Sequence, residues 1–553
     1  MFVRTKKRGT RTYLQIVENH RIEGTIQQRV LGTLGRLDVL QETGGLDALM
    51  VSMQRFSEKL AIIGAHDRHE VTSTASRKIG PALIFERLWQ QLGIDQVLTG
   101  LLGKRKFEFP VERAVFITVL HRLFSPGSDR QAERWKEDYR IEDNDQIDLH
   151  HFYRAMGWLG QPLSVNQQDD ATPFAPRCTK DLVEENLFAR RCDLFTSLDL
   201  VFFDTTSIYF EGEGGDKIGQ HGHSKDHRPD LKQMVVGVVL DHEGNPICSE
   251  MWPGNTTDVT TLVPIVKRLK NRFHIGEICI VADRGMISEK VMKQIQAKGW
   301  KYILGVRMRN SKEARDQVLS QGGRYHEVTP KGKLSKDPSP LKVKEVQIGD
   351  RRYVICLNED QAVKDRHDRQ AILANLEDAL KRGAKSLIGN KGYRKYIQAS
   401  GQRLNIDREK VKEEARYDGK WVLTTNTDLS TAQVALKYKQ LWMVETIFRS
   451  MKSLLATRPI HHKCDDTIRG HVWCSFLALV LRKELQDRLE GKRSDPDEPP
   501  LEWADIVRDL DHFAETDIVA SGKKYTLRTE AKTTVSKVFR ACGVAMPPTL
   551  RQR

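Results

Sequence analysis

The sequence contains few cysteines and no long apolar segment. Its eight cysteines are spread over 553 residues, and no two of them form a Cys-x-x-Cys pair. This usage is typical of reduced thiols in a cytoplasm and not of a disulfide framework. No run of about 18 apolar residues occurs, so we expect no membrane span. The first residues, MFVRTKKRGTRTYLQI, lack the apolar segment of a secretory signal. We therefore expect a cytoplasmic protein with no membrane partner.

Acidic residues are outnumbered by basic ones. The chain has 89 Lys and Arg against 74 Asp and Glu, a formal charge of +15 and a pI near 9.3. A basic protein of this size most often binds a polyanion, usually nucleic acid. The alternative is an enzyme that is basic by composition alone. The length suits roughly three or four domains, and a hydrophobic content of 39% allows packed cores.

Metal-ligating residue types cluster at one place in the sequence. Five of them lie within 14 positions, namely His461, His462, Cys464, His471 and Cys474. These are ligand types that zinc prefers. Cys474, however, lies inside the apolar run 472–480, which is typical of a core helix. A core cysteine with nearby loop histidines is therefore favoured over a metal site.

The first residues carry a strong excess of basic side chains. Residues 1–36 contain eight Lys or Arg and two Glu. Apolar residues on both sides of a turn-like Glu18-Asn19-His20 predict one or two β-hairpins. We expect a basic, β-rich region over residues 1–60. Its candidate DNA contacts are Arg4, Lys6, Lys7, Arg8 and Arg11. A solvated basic edge is an equal alternative.

Apolar periodicity divides the rest of the chain into further regions. Residues 79–190 show helical spacing and form a candidate DNA-binding domain. Strand patterns with a hairpin dominate residues 195–307. Residues 308–420 form a β-rich insertion, residues 421–485 return to the core, and residues 490–553 form a tail after a Pro/Asp linker. Three antiparallel strands, an α/β continuation and an insertion before an acidic helix predict an α/β fold with an RNase-H-like catalytic core.

Three carboxylates occupy matching settings in separate segments. Asp204 and Asp283 each end an apolar, strand-like run, and Glu445 lies in a helical stretch. A buried carboxylate without a partner is costly, so both aspartates are candidates for function, although an acid at a strand end is commonly a turn residue. Together the three can hold a pair of divalent ions for cutting and joining phosphodiesters. Mg²⁺ prefers such oxygen ligands.

Polar residues recur on one face of the predicted Glu445 helix. Tyr438, Glu445 and Lys452 are seven positions apart, which is nearly two helical turns. Arg449 follows Glu445 by one turn on the same side. This stripe can hold metal and DNA phosphates together. A solvated charged face with an ion pair between Glu445 and Arg449 is the alternative.

Two smaller features have possible DNA roles. The loop at residues 222–233 carries Lys225, Arg228 and Lys232, which could bind a phosphate backbone without reading sequence. A solvated loop is equally compatible. Trp252 and Trp300 could stack on a flipped base, but core packing is favoured for both.

These motifs together resemble a known family. Tyr438, Leu441, Glu445 and Lys452 have the spacing of a Tyr-x2-Arg-x3-Glu-x6-Lys signature, with Leu441 in place of the arginine. In this the chain resembles the DDE transposases of bacterial insertion sequences that carry this signature. Further segments that resemble the family are residues 203–207, 222–233, 254–256, 282–286 and 458–463.

The resemblance implies roles for named residues. In the family the two aspartates and the glutamate, here Asp204, Asp283 and Glu445, bind the catalytic metal ions, which are Mg²⁺ with Mn²⁺ as a substitute. Tyr438 and Lys452 contact DNA phosphates near the cleaved end. Arg284, beside Asp283 in its motif, is counted with the DNA-binding residues, as is Arg449. The family also has an insertion before the glutamate, which matches residues 308–420.

Three functions remain to be compared. The first is a transposase of the bacterial cytoplasm or nucleoid, which binds terminal inverted repeats, cleaves the element ends and joins the 3′-hydroxyl strands to target DNA as a homodimer. The second is a metal-dependent nuclease on the same core, which hydrolyses nucleic acid without joining. The third is a DNA-binding protein with a decayed site, which three intact carboxylates disfavour. Because phosphate contacts carry no base information, sequence recognition is expected in the basic N-terminal hairpin and the helical region to about residue 160.

Overall fold

The computed structural model describes residues 1–22, 25–53, 56, 66, 71–103, 105–169, 171–172, 175–191, 200–275, 278–328, 341–382, 395–400, 403–492, 499–520 and 522–553. They form two compact units. One consists of Met1–Ile84, Glu137–Ile141 and Lys492–Arg553, and the other of Phe85–Lys136 and Glu142–Gly491. Among these residues, no helix has the length and apolar character that crossing a bilayer requires.

The strands are numbered in chain order. They are β1 Phe2–Arg8, β2 Arg11–Ile22, β3 Thr25–Arg36, β4 Thr72–Lys78, β5 Leu200–Tyr209, β6 Gln233–Leu240, β7 Pro246–Pro253, β8 Cys279–Ala282, β9 Lys301–Gly305, β10 His326–Val328, β11 Leu341–Ile348, β12 Arg351–Asn358, β13 Ile397–Ser400, β14 Arg403–Ile406, β15 Lys420–Thr425, β16 Ala514–Ala520, β17 Lys523–Arg528 and β18 Leu550–Gln552.

The α-helices follow the same convention. They are α1 Leu37–Glu42, α2 Gly45–Met53, α3 Gly80–Gln91, α4 Ile94–Leu102, α5 Val111–Phe124, α6 Asp129–Trp135, α7 Leu149–Gly160, α8 Thr179–Arg191, α9 Asp258–Phe273, α10 Glu289–Ala297, α11 Glu359–Arg382, α12 Arg408–Ala415, α13 Thr431–Lys439, α14 Trp442–Arg449, α15 Asp465–Gly491, α16 Trp503–Asp511 and α17 Thr533–Cys542. Two segments, Glu313–Val318 and Ser450–Leu454, are π-helical.

A nine-stranded sheet organises the larger unit, in the order β10-β11-β12-β15-β9-β8-β5-β6-β7. β5, β6 and β7 are antiparallel neighbours. β8 runs parallel to β5, and β9 runs parallel to β8. α9 connects β7 to β8, and α10 connects β8 to β9. Three antiparallel strands followed by two parallel ones with connecting helices form an RNase-H-like core, so the predicted fold class is confirmed.

The core forms because its strands are apolar on both faces. Every residue of β6 is buried, as expected for a central strand covered on both sides. Leu262 and Ile265 of α9 pack against Phe203 of β5 and other sheet residues. Trp252 and Trp300 are 2% and 8% exposed in the same cluster. The structure thus confirms core packing for both tryptophans.

The segment before the Glu445 helix extends this sheet. β15 pairs antiparallel with β9, and β12, β11 and β10 follow in turn. β13 and β14 form a separate hairpin, which packs with α11 around Leu376 and Tyr396. The strands expected between residues 308 and 420 are present, but the longest element there is α11, with 24 residues, which the sequence pattern did not predict. Residues 329–340 and 383–394 of this region lie outside the described residues.

The N-terminal strands form a separate three-stranded antiparallel sheet, β1-β2-β3. The predicted hairpins are therefore confirmed, but the predicted turn at Glu18-Asn19-His20 is wrong. These residues lie inside β2, where Glu18 pairs with Arg29 and His20 with Gln27. Opposite charges across the strands favour this continuous pairing.

The residues after 490 contribute to a four-stranded sheet in the order β18-β17-β16-β4. β16 pairs antiparallel with β4, a strand from much earlier in the chain. Arg140 binds Glu515 at 2.6 Å and Asp517 at 3.1 Å beside this sheet. The described residues of the predicted tail from Lys492 onward thus belong to the smaller unit.

Most of the predicted helical region, Phe85–Lys136 and the residues from Glu142 onward, belongs to the same unit as the core, whereas residues 79–84 and Glu137–Ile141 belong to the smaller unit. α15 packs closely on α7, and this requires glycine at two contact positions. A side chain at Gly160 would clash with the carbonyl of Asp466, and one at Gly470 would clash with the carbonyl of Met156. α8 is joined to α9 by buried ion pairs between Asp181, Arg268 and Arg272. The predicted boundary near residue 190 therefore does not separate two compact units.

Candidate active site

Asp204 lies in the middle of β5. The sequence pattern placed it at a strand end, but β6 pairs with β5 as far as Tyr209, so the strand continues past it. The Thr205 backbone N–H donates to Asp204 Oδ1 at 2.7 Å. Burial of this half-buried carboxyl raises its pKa to about 6. Lys225 opposes this rise, whereas Asp283 and Asp258 add to it.

Asp283 lies directly after β8, as predicted. Because β5 and β8 are parallel neighbours, Asp283 is brought beside Asp204. The Tyr438 hydroxyl donates to Asp283 Oδ1 at 2.7 Å. Burial, with the nearby charge of Asp283, raises the pKa of Tyr438 far above its ordinary value, so the hydroxyl remains a donor. Arg307 donates to the backbone carbonyls of Arg284 and Gly285 at 3.0 and 2.8 Å and thereby fixes this turn.

Glu445 lies on α14 and is exposed. The prediction of one continuous helix through Tyr438 and Lys452 is wrong. Tyr438 belongs to α13, and Lys452 lies in the π-helical segment after α14. Tight hydrogen bonds from Leu441 N–H to the Tyr438 carbonyl (3.1 Å) and from Val444 N–H to the Leu441 carbonyl (3.0 Å) mark the break. The ion pair between Glu445 and Arg449, which belonged to the alternative of a solvated charged face, is not among the contacts of the described residues.

The three carboxylates line one cavity of about 320 Å³. Its lining residues are Asp204, Asp283, Trp421, Tyr438, Lys439, Leu441, Trp442 and Glu445. Among the described residues, two groups have ligand atoms that all lie within 4.8 Å of one another, namely Asp129 with His462 and His471, and Asp148 with His150 and His151. The carboxylate oxygens of Asp204, Asp283 and Glu445 do not all lie within this distance of one another. Carboxylates that bind two ions from opposite sides do not need such close contact.

A lysine and a fourth carboxylate adjoin Asp204. Lys225 Nζ donates to the Thr205 carbonyl at 2.7 Å and forms an ion pair with Asp258 Oδ2 at 2.9 Å. The Thr205 hydroxyl donates to Asp258 Oδ1 at 2.7 Å. Asp258 begins α9, and the sequence pattern does not single it out, because an acid in a first helical turn is common. The Lys225 ammonium thus already binds two protein groups, the Thr205 carbonyl and the Asp258 carboxylate.

Lys452 shares a buried carboxylate with an arginine. Lys452 Nζ and Arg458 Nη1 lie 2.8 and 2.7 Å from Asp226 Oδ1. Burial lowers the pKa of Lys452, although Asp226 opposes this change. Asp226 and Arg458 were not singled out for this role, because their contact joins residues far apart in the chain.

The other predicted DNA-binding cations lie nearer to solvent. Arg228 pairs with Asp230 at 2.9 Å, and Lys232 pairs with Glu213 at 3.0 Å. The side chains of Arg284 and Arg449 are exposed, the first beside Asp283 and the second one turn after Glu445.

One further missed residue makes room for Tyr438. Gly305 ends β9, and a side chain there would clash with the Tyr438 hydroxyl. The glycine therefore allows the tyrosine to reach Asp283. The only sequence signal was a glycine at the end of an apolar run, which alone is weak.

The histidine cluster lies apart from this cavity. His462 Nε2 is 3.0 Å from His471 Nδ1 and 3.4 Å from Asp129 Oδ2. Arg122 Nη2 also contacts His471 Nδ1 at 2.9 Å. Burial lowers the pKa of both histidines, and a permanent guanidinium charge beside them disfavours a bound cation. Cys474 is fully buried, which confirms the core interpretation, although His471 lies on α15 and not in a loop.

Comparison with known proteins gives two family matches. A family model described as a transposase DDE domain matches residues 196–481, more than half of the chain. A second, described as the N-terminal domain of IS1634 family transposases, matches residues 2–67. No curated protein matches the chain.

Solved structures show distant likenesses. A piggyBac transposase synaptic complex with hairpin DNA is 13% identical, with 78% of this chain and 79% of that chain covered and a TM-score of 0.37. A Mos1 transposase paired-end complex with the left transposon end is 15% identical, with 36% and 60% covered and a TM-score of 0.15. From the DDE-domain match, the chain belongs to the DDE transposases of bacterial insertion sequences, which are DNA-cleaving and strand-transferring enzymes that use divalent metal ions.

Proposed function

We propose that this protein binds the terminal inverted repeats of an insertion sequence, cleaves the DNA at its ends and transfers the 3′-hydroxyl strands to target DNA. One observation carries the proposal: Asp204, Asp283 and Glu445 come from three separate segments and line a single cavity. The Tyr-Arg-Glu-Lys subgroup is part of the same proposal, since three of its four signature residues are present.

The cavity suits Mg²⁺, with Mn²⁺ as a substitute. All three proposed ligands offer carboxylate oxygens, which Mg²⁺ prefers. Burial raises the pKa of Asp204, and Asp283 and Asp258 add to this rise although Lys225 opposes it, so a cation bound beside Asp204 would relieve the cost of its negative charge. Bound ions would supply activation of the attacking oxygen and stabilisation of the leaving oxygen.

The surrounding residues position the proposed ligands. The Tyr438 hydroxyl restrains one oxygen of Asp283, and Arg307 fixes the turn that follows it. Lys225 holds the Thr205 carbonyl, next to Asp204 in β5. Such supporting contacts typically change metal affinity or activity by about 10–100-fold when removed.

DNA contacts are proposed around the cavity. Exposed Arg284 and Arg449 are suited to phosphates beside Asp283 and Glu445. Further phosphate contacts are proposed for Tyr438, Lys452, Lys225, Arg228 and Lys232. For Tyr438 and Lys452 this requires that the hydroxyl and the ammonium bind phosphate in addition to their present carboxylate partners or in exchange for them.

Recognition and assembly complete the proposal. Sequence readout is assigned to the basic N-terminal sheet and the helices to about residue 160, because a backbone-binding core cannot identify the element ends. The homodimer is inferred from the need to hold two ends together. The bacterial cytoplasm or nucleoid is the compartment where such DNA is available.

The test is Mg²⁺-dependent cleavage and joining of a duplex that carries the element end. Asp204→Ala, Asp283→Ala and Glu445→Ala should each abolish both reactions while DNA binding is retained. Glu243→Ala is a suitable control, since it removes an exposed carboxylate from the β6–β7 turn. Near-normal cleavage by any triad variant would disprove the assignment. Cleavage without joining to a plasmid target would instead favour the nuclease.

A further inference from the structure

A segment from much later in the sequence, around Ile460, pairs with the chain at the end of β5. β6 pairs with one edge of β5, and β8 pairs with residues 200–203 on the other. Further along this second edge, Ile460 forms a short parallel bridge with Phe210. The Ile460 N–H donates to the Tyr209 carbonyl at 3.2 Å, and the Glu211 N–H donates to the Ile460 carbonyl at 3.0 Å. The bridge brings Arg458 to the end of β5.

Two arginines contact the ring of Tyr209 at this point. Arg228 Cζ is 5.6 Å from the ring centroid, and Arg458 Cζ is 5.5 Å from it. Both distances lie within the range of about 6 Å for cation–π contact. The two guanidinium carbons are therefore no more than 11.1 Å apart, the sum of the two distances. One half-buried tyrosine orients two cations from separate segments.

Three carboxylates lie near these arginines, namely Asp226, Asp230 and Glu211. Asp226 binds both Arg458 and Lys452, so one negative charge faces two positive ones. Arg228 and Asp230 form an ion pair whose side chains are 47% and 58% exposed. Exposed pairs of this kind contribute little to stability, so a phosphate can replace Asp230.

Arg458 also retains binding capacity. A guanidinium carries five N–H donors in a planar fork, and among the described residues the contacts of Arg458 are the Asp226 carboxylate and the Tyr209 ring. Arginine forks of this kind suit bidentate contact with phosphate oxygens.

We propose that Arg228 and Arg458, held by Tyr209, form a phosphate-binding site for the DNA backbone. Tyr209 follows Asp204 by five residues of one strand, or roughly 16 Å at 3.3 Å per residue. The site would hold the DNA strand away from the point of cleavage and read no bases. This site rests on the proposed function, because it is one contact with the DNA that the transposase would cut.

The experiment measures the binding of a short random-sequence duplex to the full-length protein by fluorescence anisotropy over a range of KCl concentrations. Each lost phosphate contact lowers the slope of log K against log[KCl] by about one. Arg228→Ala should therefore lower the slope by about one, and Arg228→Ala with Arg458→Gln by about two. Affinity should fall about tenfold per contact. Tyr209→Leu should weaken binding, whereas Tyr209→Phe keeps the ring and should restore it.

Arg315→Ala is the matched control. Arg315 is also partly exposed and paired with a neighbouring aspartate, Asp316, and it has no ring partner among the described residues. Arg228→Ala removes an exposed side chain, so its interpretation does not depend on the folding of the Arg458 variant. An unchanged slope for Arg228→Ala and the double variant, or a change no larger than that of Arg315→Ala, would overturn the site. A wild-type protein that neither binds nor cleaves DNA would instead contradict the proposed function.

Discussion

Replacing Asp204 by asparagine should stabilise the metal-free protein at neutral pH. The folded-state pKa of Asp204 is about 6, raised by burial from the ordinary value of 3.8. The folded protein therefore favours the neutral carboxyl, and the stability that this gives is lost as the pH rises from about 4 through 6. The substituted asparagine side chain would remain neutral at every pH and would still accept the Thr205 N–H.

The magnitude follows from the shift. A difference of about two pKa units corresponds to about 3 kcal/mol at 1.36 kcal/mol per unit. Solvent reaches this half-buried carboxyl and screens part of the penalty, so we expect about 1–3 kcal/mol at pH 8. Asp204 lies in a compact unit of about 400 residues, for which about 2 kcal/mol raises the melting temperature by roughly 2–3 °C, given an unfolding entropy of about 2.1 cal/mol/K per residue. At pH 4, close to the ordinary pKa of 3.8, the difference should fall below about 1 kcal/mol.

The assay is thermal unfolding of wild type and Asp204→Asn at pH 4 and pH 8, each with EDTA or with Mg²⁺. Mg²⁺ should stabilise the wild type at pH 8, by about 1.4 kcal/mol at ten times the dissociation constant, and should stabilise the variant less. Asp241→Asn, which changes an aspartate of the β6–β7 turn outside the cavity, controls for general charge effects. The prediction would be refuted if wild type without metal at pH 8 were as stable as Asp204→Asn. In that case burial and neighbouring carboxylates would not destabilise the charged form of Asp204.

Three other changes test separate parts of the structure. Tyr438→Phe removes the hydrogen bond to Asp283 and should lower the apparent Mg²⁺ affinity about 10–100-fold, which a Mg²⁺ titration of the cleavage rate measures, with little change in melting temperature. Trp442→Ala removes a tryptophan that is 48% exposed in the cavity; stability should be unchanged, and anisotropy should show single-stranded DNA binding weakened by about 1–3 kcal/mol if the indole stacks on a base. Arg272→Met leaves the buried carboxylate of Asp181 without a cation that it now contacts at 3.3 Å, and unfolding experiments should show a loss of about 3–5 kcal/mol.

The sequence predicted those features that depend on local patterns. Apolar runs that end in a polar residue indicated the strands before Asp283, and periodic apolar residues indicated the helices around it. The order of these elements along the chain was enough to predict the RNase-H-like core. The sequence pattern placed Asp204 and Asp283 together as strand-end residues; the structure brings them together through the parallel register of β5 and β8, with Asp204 inside β5.

Features that depend on distant partners could not be predicted in this way. Tyr438 reaches Asp283 across 155 positions, and its access depends on the absence of a side chain at Gly305. The spacing of seven residues between Tyr438 and Glu445 indicated one helix, but the helix is interrupted at residues 440–441, between α13 and α14. Likewise, β16 pairs with β4 only after more than 400 intervening residues, so the last segment was taken for a tail.

The carboxylate cavity is acidic, whereas the surface around Arg228 and Arg458 at the end of β5 carries arginines. Asp204, Asp283 and Glu445 line the cavity and Asp258 lies beside Asp204, whereas the lysines there are Lys225, which pairs with Asp258, and Lys439. This excess of negative charge would repel a DNA phosphate that approaches the cavity. Cations bound by the carboxylates would remove the repulsion, and a bound phosphate would in turn supply oxygen ligands to those cations. Because such coupling is reciprocal, the divalent ion should raise the affinity for DNA ends by the same factor as DNA raises the affinity for the ion.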